Sequence, residues 1–153
     1  MAVSPNTDFV SGQILTAAQQ NNFPRGVMGR AVATASQTFT TTSAVDFTSL
    51  SITFTAVANR YYKLSFSLPS VTGSASNRFV TVIRDGSNNE LLAVYNEVTS
   101  LGYSICNYTT QTFTAGSKTV KLSGYRDSGT GSIAAFGGAT SPMELTVEDI
   151  GPA

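Results

Sequence analysis

The chain has 153 residues, with nine basic and nine acidic side chains and a formal net charge of zero. That length is one domain's worth and is enough to bury a core without staples. The charge balance excludes the electrostatic footprint of a nucleic-acid or anionic-membrane binder. Charged residues make up 12%, about half the usual share, while 21 threonines and 19 serines supply the polar faces. A surface of hydroxyls is weakly hydrated and suits close packing against other protein.

The first segment, residues 1–28, reads as a leader distinct from the rest of the chain. Thr16 with Gln19 three positions on forms a capping box, and Ala17 and Ala18 are good first-turn residues. Phe23-Pro24 and Gly26 end that helix, because a residue before proline is pushed out of the helical region. Two turns are not stable alone in water, so this arm must dock on something. Phe9, Ile14, Leu15, Phe23 and Arg25 are the candidate anchoring residues, either as a cap on the chain's own sheet or as a grip on another protein.

Residues 29–153 read as a β-sandwich. Ala31 to Thr40 is a strand candidate, followed by Val45 to Phe47 and Leu50 to Ala56, with a slip of phase that predicts a bulge between Phe47 and Leu50. In 50–56 the even positions are apolar and the odd ones hydroxylic, and Tyr62 to Leu68 repeats the alternation. The short Ala58-Asn59-Arg60 link predicts that these two runs form a hairpin. Pro69 and residues 73–76 make a loop. Phe79 to Arg84 and Glu90 to Tyr95 are the next strands, joined at Asp85-Gly86.

The run 90–95 is apolar on both faces, so its outer face also needs a cover, and a subunit interface at Leu91, Tyr95 and Tyr103 is the expected one. Leu101 to Thr114, Lys118 to Tyr125, Ile133 to Phe136 and Met143 to Glu148 complete eight or nine strands with no long helical pattern. The fold class is all-β, a jelly-roll-type sandwich behind a short extended or helical leader, with a barrel as second choice.

Chemistry is sparse. The absence of histidine removes the usual serine triads, Cys-His pairs and most zinc sites. Cys106 is the only cysteine, so no intrachain disulfide forms, and it reads as a small strand residue. The loop 127–131 is glycine-rich but lacks the P-loop lysine. No catalytic residue, cofactor or metal is expected, and neither a secretory signal nor a membrane span is recognisable.

Two stretches carry a resemblance. Phe113 to Leu122 and the closing Met143 to Ile150 resemble the late strands of the tumour necrosis factor and complement C1q heads, which are compact trimers. The leader motif Gly12-Gln13-Ile14-Leu15-Thr16-Ala17-Ala18 with Pro24-Arg25-Gly26, and the ending Val147 to Pro152, are similar to small virion proteins of tailed actinobacterial phages. The resemblance implies a homotrimeric capsid decoration protein, held to the major capsid protein or another virion protein by its arm and assembled in the host bacterial cytoplasm. The alternative it leaves is a minor tail or fibre component that recognises host-surface glycans through Asn77, Asn88, Asn89 and Tyr125.

Overall fold

A computed structural model describes Ile14 and residues 16–153. The one helix among the described residues, α1 (Ala17–Asn21), carries the expected capping box: Thr16 Oγ1 accepts the Gln19 N–H, and Gln19 Oε1 accepts the Thr16 N–H. Ten strands come after it: β1 (Gly26–Ala33), β2 (Gln37–Phe39), β3 (Val45–Ala56), β4 (Arg60–Gly73) and β5 (Asn77–Asp85), then β6 (Glu90–Val98), β7 (Tyr103–Thr112), β8 (Gly116–Ser128), β9 (Ile133–Phe136) and β10 (Met143–Pro152).

The strands make two antiparallel sheets. Sheet A runs β1-β10-β4-β7, and the short β9 and β2 extend it beyond the end of β10; sheet B runs β3-β8-β5-β6. Counting the eight long strands in chain order, one sheet is first-eighth-third-sixth and the other second-seventh-fourth-fifth. That is the doubly wound Greek-key order of a jelly roll, so the fold class read from the sequence is the fold observed.

One local expectation is overturned. The runs 50–56 and 62–68 do not form a hairpin: β3 pairs with β8 in sheet B, whereas β4 pairs with β10 and β7 in sheet A. Both strands face one shared core, and a crossover satisfies that as well as a hairpin does. Asn59 takes a left-handed backbone (φ 60°), and the buried Tyr62 hydroxyl accepts the Val57 N–H at 2.8 Å, which together steer the link from one sheet to the other. The candidate strand 31–40 is likewise two strands, interrupted at 34–36. The bulge after Phe47 is present: the β3–β8 register shifts between Asp46 and Ser51, and Ser49 sits at φ 68°.

Alternation puts Tyr62, Leu64, Phe66 and Leu68 of β4 and Met143, Leu145 and Val147 of β10 into the core against Leu50, Ile52 and Phe54 of β3. Phe39 packs on Phe47 and Phe79, with centroids 4.8 and 5.3 Å away, while Phe54, Tyr62 and Phe113 form a second aromatic group. On the β1/β3 side the sheets close tightly. A Cβ on Gly29 would sit 2.4 Å from Ile52 Cγ2, so only glycine allows that approach.

Candidate functional site

Two places depart from plain sandwich packing, the base of the arm and the outer face of sheet B. At the first, Arg60 is 4% exposed and Asp149 1%. Arg60 Nε and Nη2 donate to the two Asp149 carboxylate oxygens at 2.5 and 2.8 Å. The remaining guanidinium donors reach back to the arm, to Asn21 O at 2.5 Å and Phe23 O at 2.6 Å. Asp149 also accepts the Gly151 N–H at 3.0 Å. The hydrogen bonds to Asp149 raise the Arg60 pKa against the opposing effect of burial, so the cation is secure. A planar fork bridging a carboxylate and two carbonyls is a task lysine cannot perform.

This clamp fixes where the arm leaves the sandwich. Arg25 lies beside it, in an open polar cleft of about 410 Å³ lined with Asn21, Asn22, Asn59 and Pro152. The arm's described apolar groups are not drawn into the core: Ile14 is 89% exposed and Phe23 39%. Phe9 and Leu15 lie outside the described residues.

The second place is built by rows of side chains running across sheet B. Val80 of β5 is the register partner of Tyr125 on β8 and of Tyr95 on β6, and in the next row Val82 pairs with Ser123 and Ala93. These positions face away from the central core, yet Val80 and Val82 are fully buried and stand apart from the core cluster. The neighbouring side chains therefore form a lid over them. Tyr95 remains exposed, with the Arg78 guanidinium 5.7 Å from its ring centre, and Arg78 in turn pairs with Asp127. Burial, together with Tyr95 and the carboxylates Asp127 and Glu90, pushes the Tyr125 hydroxyl above its ordinary pKa, so it is a donor at any physiological pH.

Further along the same face, Asp46 accepts from Lys121 Nζ at 2.8 Å and from Ser123 Oγ at 2.6 Å, and Lys121 also donates to Asn88 Oδ1 at 2.7 Å. Burial pushes the Asp46 carboxyl up, but these hydrogen bonds outweigh it and hold the pKa below the usual carboxylate value. The face thus offers two tyrosines beside a chain of mutually neutralised polar groups. From Tyr125 to Lys121 it spans about 13 Å at strand spacing.

Of the residues expected at a subunit interface, Tyr95 and Tyr103 are exposed, the latter with its hydroxyl 3.2 Å from Thr99 Oγ1. Leu91 is the extra residue of a β6 bulge, since Ile83 pairs with Leu92 and Arg84 with Glu90, and it packs half-buried against the core. Among the glycan candidates, Tyr125 and Asn88 fall on the sheet B face. Asn89 is exposed in the β5–β6 loop, where Asp85 holds it by accepting its backbone and side-chain N–H at 2.8 Å. Asn77 is a correction: it is 1% exposed and braces two loops, donating to Ala75 O and accepting the Gly131 N–H.

Arg60, Asp149 and the outward-facing valines were not singled out in the sequence. Phe79-Val80-Thr81-Val82-Ile83 carries the signal for the valines, since it is apolar on both faces like the run 90–95. Among the described residues, no group of three or more acidic or cysteine side chains is placed to hold a metal ion.

No protein-family model and no curated protein sequence matches the chain. Among solved structures, dimeric latent PorU from Porphyromonas gingivalis aligns with a TM-score of 0.52 and 8% identity over 84% of this chain; the chain spans 13% of PorU's length. The galactotriose complex of TmCBM61 aligns at 0.38, with 13% identity over 77% of this chain and 67% of that one. Tailspike protein 4 of bacteriophage CBA120 aligns at 0.34, with 12% identity over 87% of this chain and 20% of that one. The PorU likeness is one of fold, and the two lower scores carry no argument about function.

Proposed function

We propose that this chain is a non-enzymatic virion protein, attached through its N-terminal arm, that presents the outer face of sheet B to carbohydrate on the host surface. The observation that carries the reading is the Tyr95-Val80-Tyr125 row with its flanking pairs Arg78–Asp127 and Lys121–Asp46. A sugar presents C–H faces that pack on an aromatic ring, and hydroxyls that exchange hydrogen bonds with fixed polar groups. Because Arg78 and Lys121 are already paired with Asp127 and Asp46, a neutral polyhydroxyl ligand suits this face better than a strongly anionic one.

Glycan-array binding by the full chain, repeated with Tyr95→Ala, tests the reading. Binding of a glycan set that weakens about tenfold in the variant is expected, the loss of one ring contact. An array silent at every spot would overturn it.

A second reading, trimeric decoration of a capsid, is favoured by the clamped arm, whose exposed Ile14 and Phe23 suit a partner's surface. The two readings use Tyr95 differently: a trimer through Leu91, Tyr95 and Tyr103 buries the ring, and a glycan platform keeps it open. Incorporation of chain lacking residues 1–25 into particles separates attachment from recognition, since only attachment is lost.

A further inference from the structure

The four long outer strands of the two sheets, leaving aside the three-residue β2, differ in how their free sides are protected. β1 has a register break between Val27 and Gly29 and carries Arg30; β3 has the break at Asp46–Ser51; β6 has the Leu91 bulge together with Glu90 and Glu97. Charges and bulges of this kind are how sheet edges avoid pairing with other chains. β7 lacks both. Its ten residues, Tyr103 to Thr112, contain no charge, no proline and no glycine, and its register against β4 is unbroken from Tyr61–Thr112 to Leu68–Ile105. The one shift lies nearer Tyr103, and there the extra residue belongs to β4.

The strand is also open on its far side. Seven of its ten residues are exposed, and among the described residues β4 is its only strand partner. One side-chain hydrogen bond joins it to β6 of the facing sheet, Gln111 Nε2 to Leu91 O at 3.3 Å. Asn107 Oδ1 accepts the Tyr108 N–H at 2.8 Å, a local stand-in for a neighbouring carbonyl.

We infer that the free edge of β7 pairs with β7 of a second copy of this chain, antiparallel about a two-fold axis, joining two sheets A into one. The occupant follows from self-match. A two-fold places the same strand against itself, which is destabilising when that strand is charged and free of electrostatic penalty when, as here, it is neutral throughout. The residues along the rim, Cys106, Tyr108, Thr110 and Thr112, are small or amphipathic and have good strand propensity. The chain's own first thirteen residues suit the edge less well, since Pro5, Asp8 and Gly12 all weaken a ladder. Such a dimer leaves the Tyr95 face of sheet B open on both copies.

The single cysteine makes the test direct. With the axis near the middle of β7, the two Cys106 side chains fall within about 15 Å of each other, inside the reach of a flexible bismaleimide. The full chain is expected to sediment at about twice 16.0 kDa and to cross-link through Cys106. Tyr108→Glu is expected to convert it to a monomer and abolish cross-linking. The ring is exposed and Lys63 Nζ lies 5.5 Å from it, so a glutamate has a cation beside it within one copy, shared with Glu148, while across the axis it meets its own charge. Val32→Lys on the opposite edge should leave the dimer intact. A monomeric or trimeric wild type, or a dimer that Tyr108→Glu leaves whole, overturns the inference. A chain that dimerises only after residues 1–13 are deleted overturns it too, because the arm then owns the edge. Glycan binding is read separately, so failure here does not touch the Tyr95 platform.

Discussion

Replacing Arg60 by methionine separates the strength of the buried ion pair from the anchoring of the arm. The substitution keeps most of the side-chain volume but leaves Asp149 fully buried with the Gly151 N–H as its remaining donor. Breaking a buried pair on one side costs about 3–5 kcal/mol, because the surviving charge has neither water nor a partner. In a domain of this size each kcal/mol lowers the melting temperature by about 2–4 °C, so a fall on the order of 10 °C is expected.

Adding Asp149→Asn removes the stranded charge while keeping an acceptor for Gly151, and most of the lost stability should return. The arm should not recover in either variant, because the donors to Asn21 O and Phe23 O are gone in both. Calorimetry reads the first effect. Tryptic cleavage after the exposed Arg25 reads the second and should accelerate in both variants. A single variant within about 1 kcal/mol of wild type, or an arm equally protected in both variants, would refute the clamp.

Other outcomes rest on the same geometry. Asp46 has a folded pKa below its ordinary value, so its pairing with Lys121 and Ser123 stabilises fully above that ordinary value and is lost as pH falls through the depressed one. Urea unfolding between about pH 4 and pH 2 should therefore show a steeper loss for wild type than for Lys121→Met. Gly124→Ala places a Cβ 2.8 Å from Phe79 Cζ and 3.2 Å from Phe39 Cε1 in a filled core; a loss of about 1–3 kcal/mol is expected in the same unfolding assay. Tyr125→Phe removes one hydroxyl from the sheet B face without touching the packing of Val80, so stability should hold while glycan affinity drops severalfold by titration calorimetry.

The strands were legible because their signal is local. Period-two alternation in 50–56, 62–68 and 143–147 states which side chains enter the core, whatever the partner strand is. The capping box at Thr16 and Gln19 and the turn at Asp85-Gly86 are equally local and appear as read. The bulge after Phe47 was visible for the same reason, as a slip of phase along one strand. Two runs with apolar outer faces, 90–95 and 79–83 with its Val80 and Val82, carry a partial signal for the proposed binding face.

Pairing is a different kind of information. The link 57–59 suits a hairpin and a crossover alike, and the choice was made by β8 and β10, more than fifty residues downstream, which claim the edges of β3 and β4. Arg60 meets Asp149 only because β4 and β10 lie side by side, and Tyr95 meets Tyr125 only because β5 stands between their strands. Composition and alternation determined that this chain is an all-β sandwich without histidine chemistry. Which residues share a face, and which edge is left bare, was decided by long-range strand order, because hydrogen-bonded ladders form between backbones whose sequences do not encode their partners.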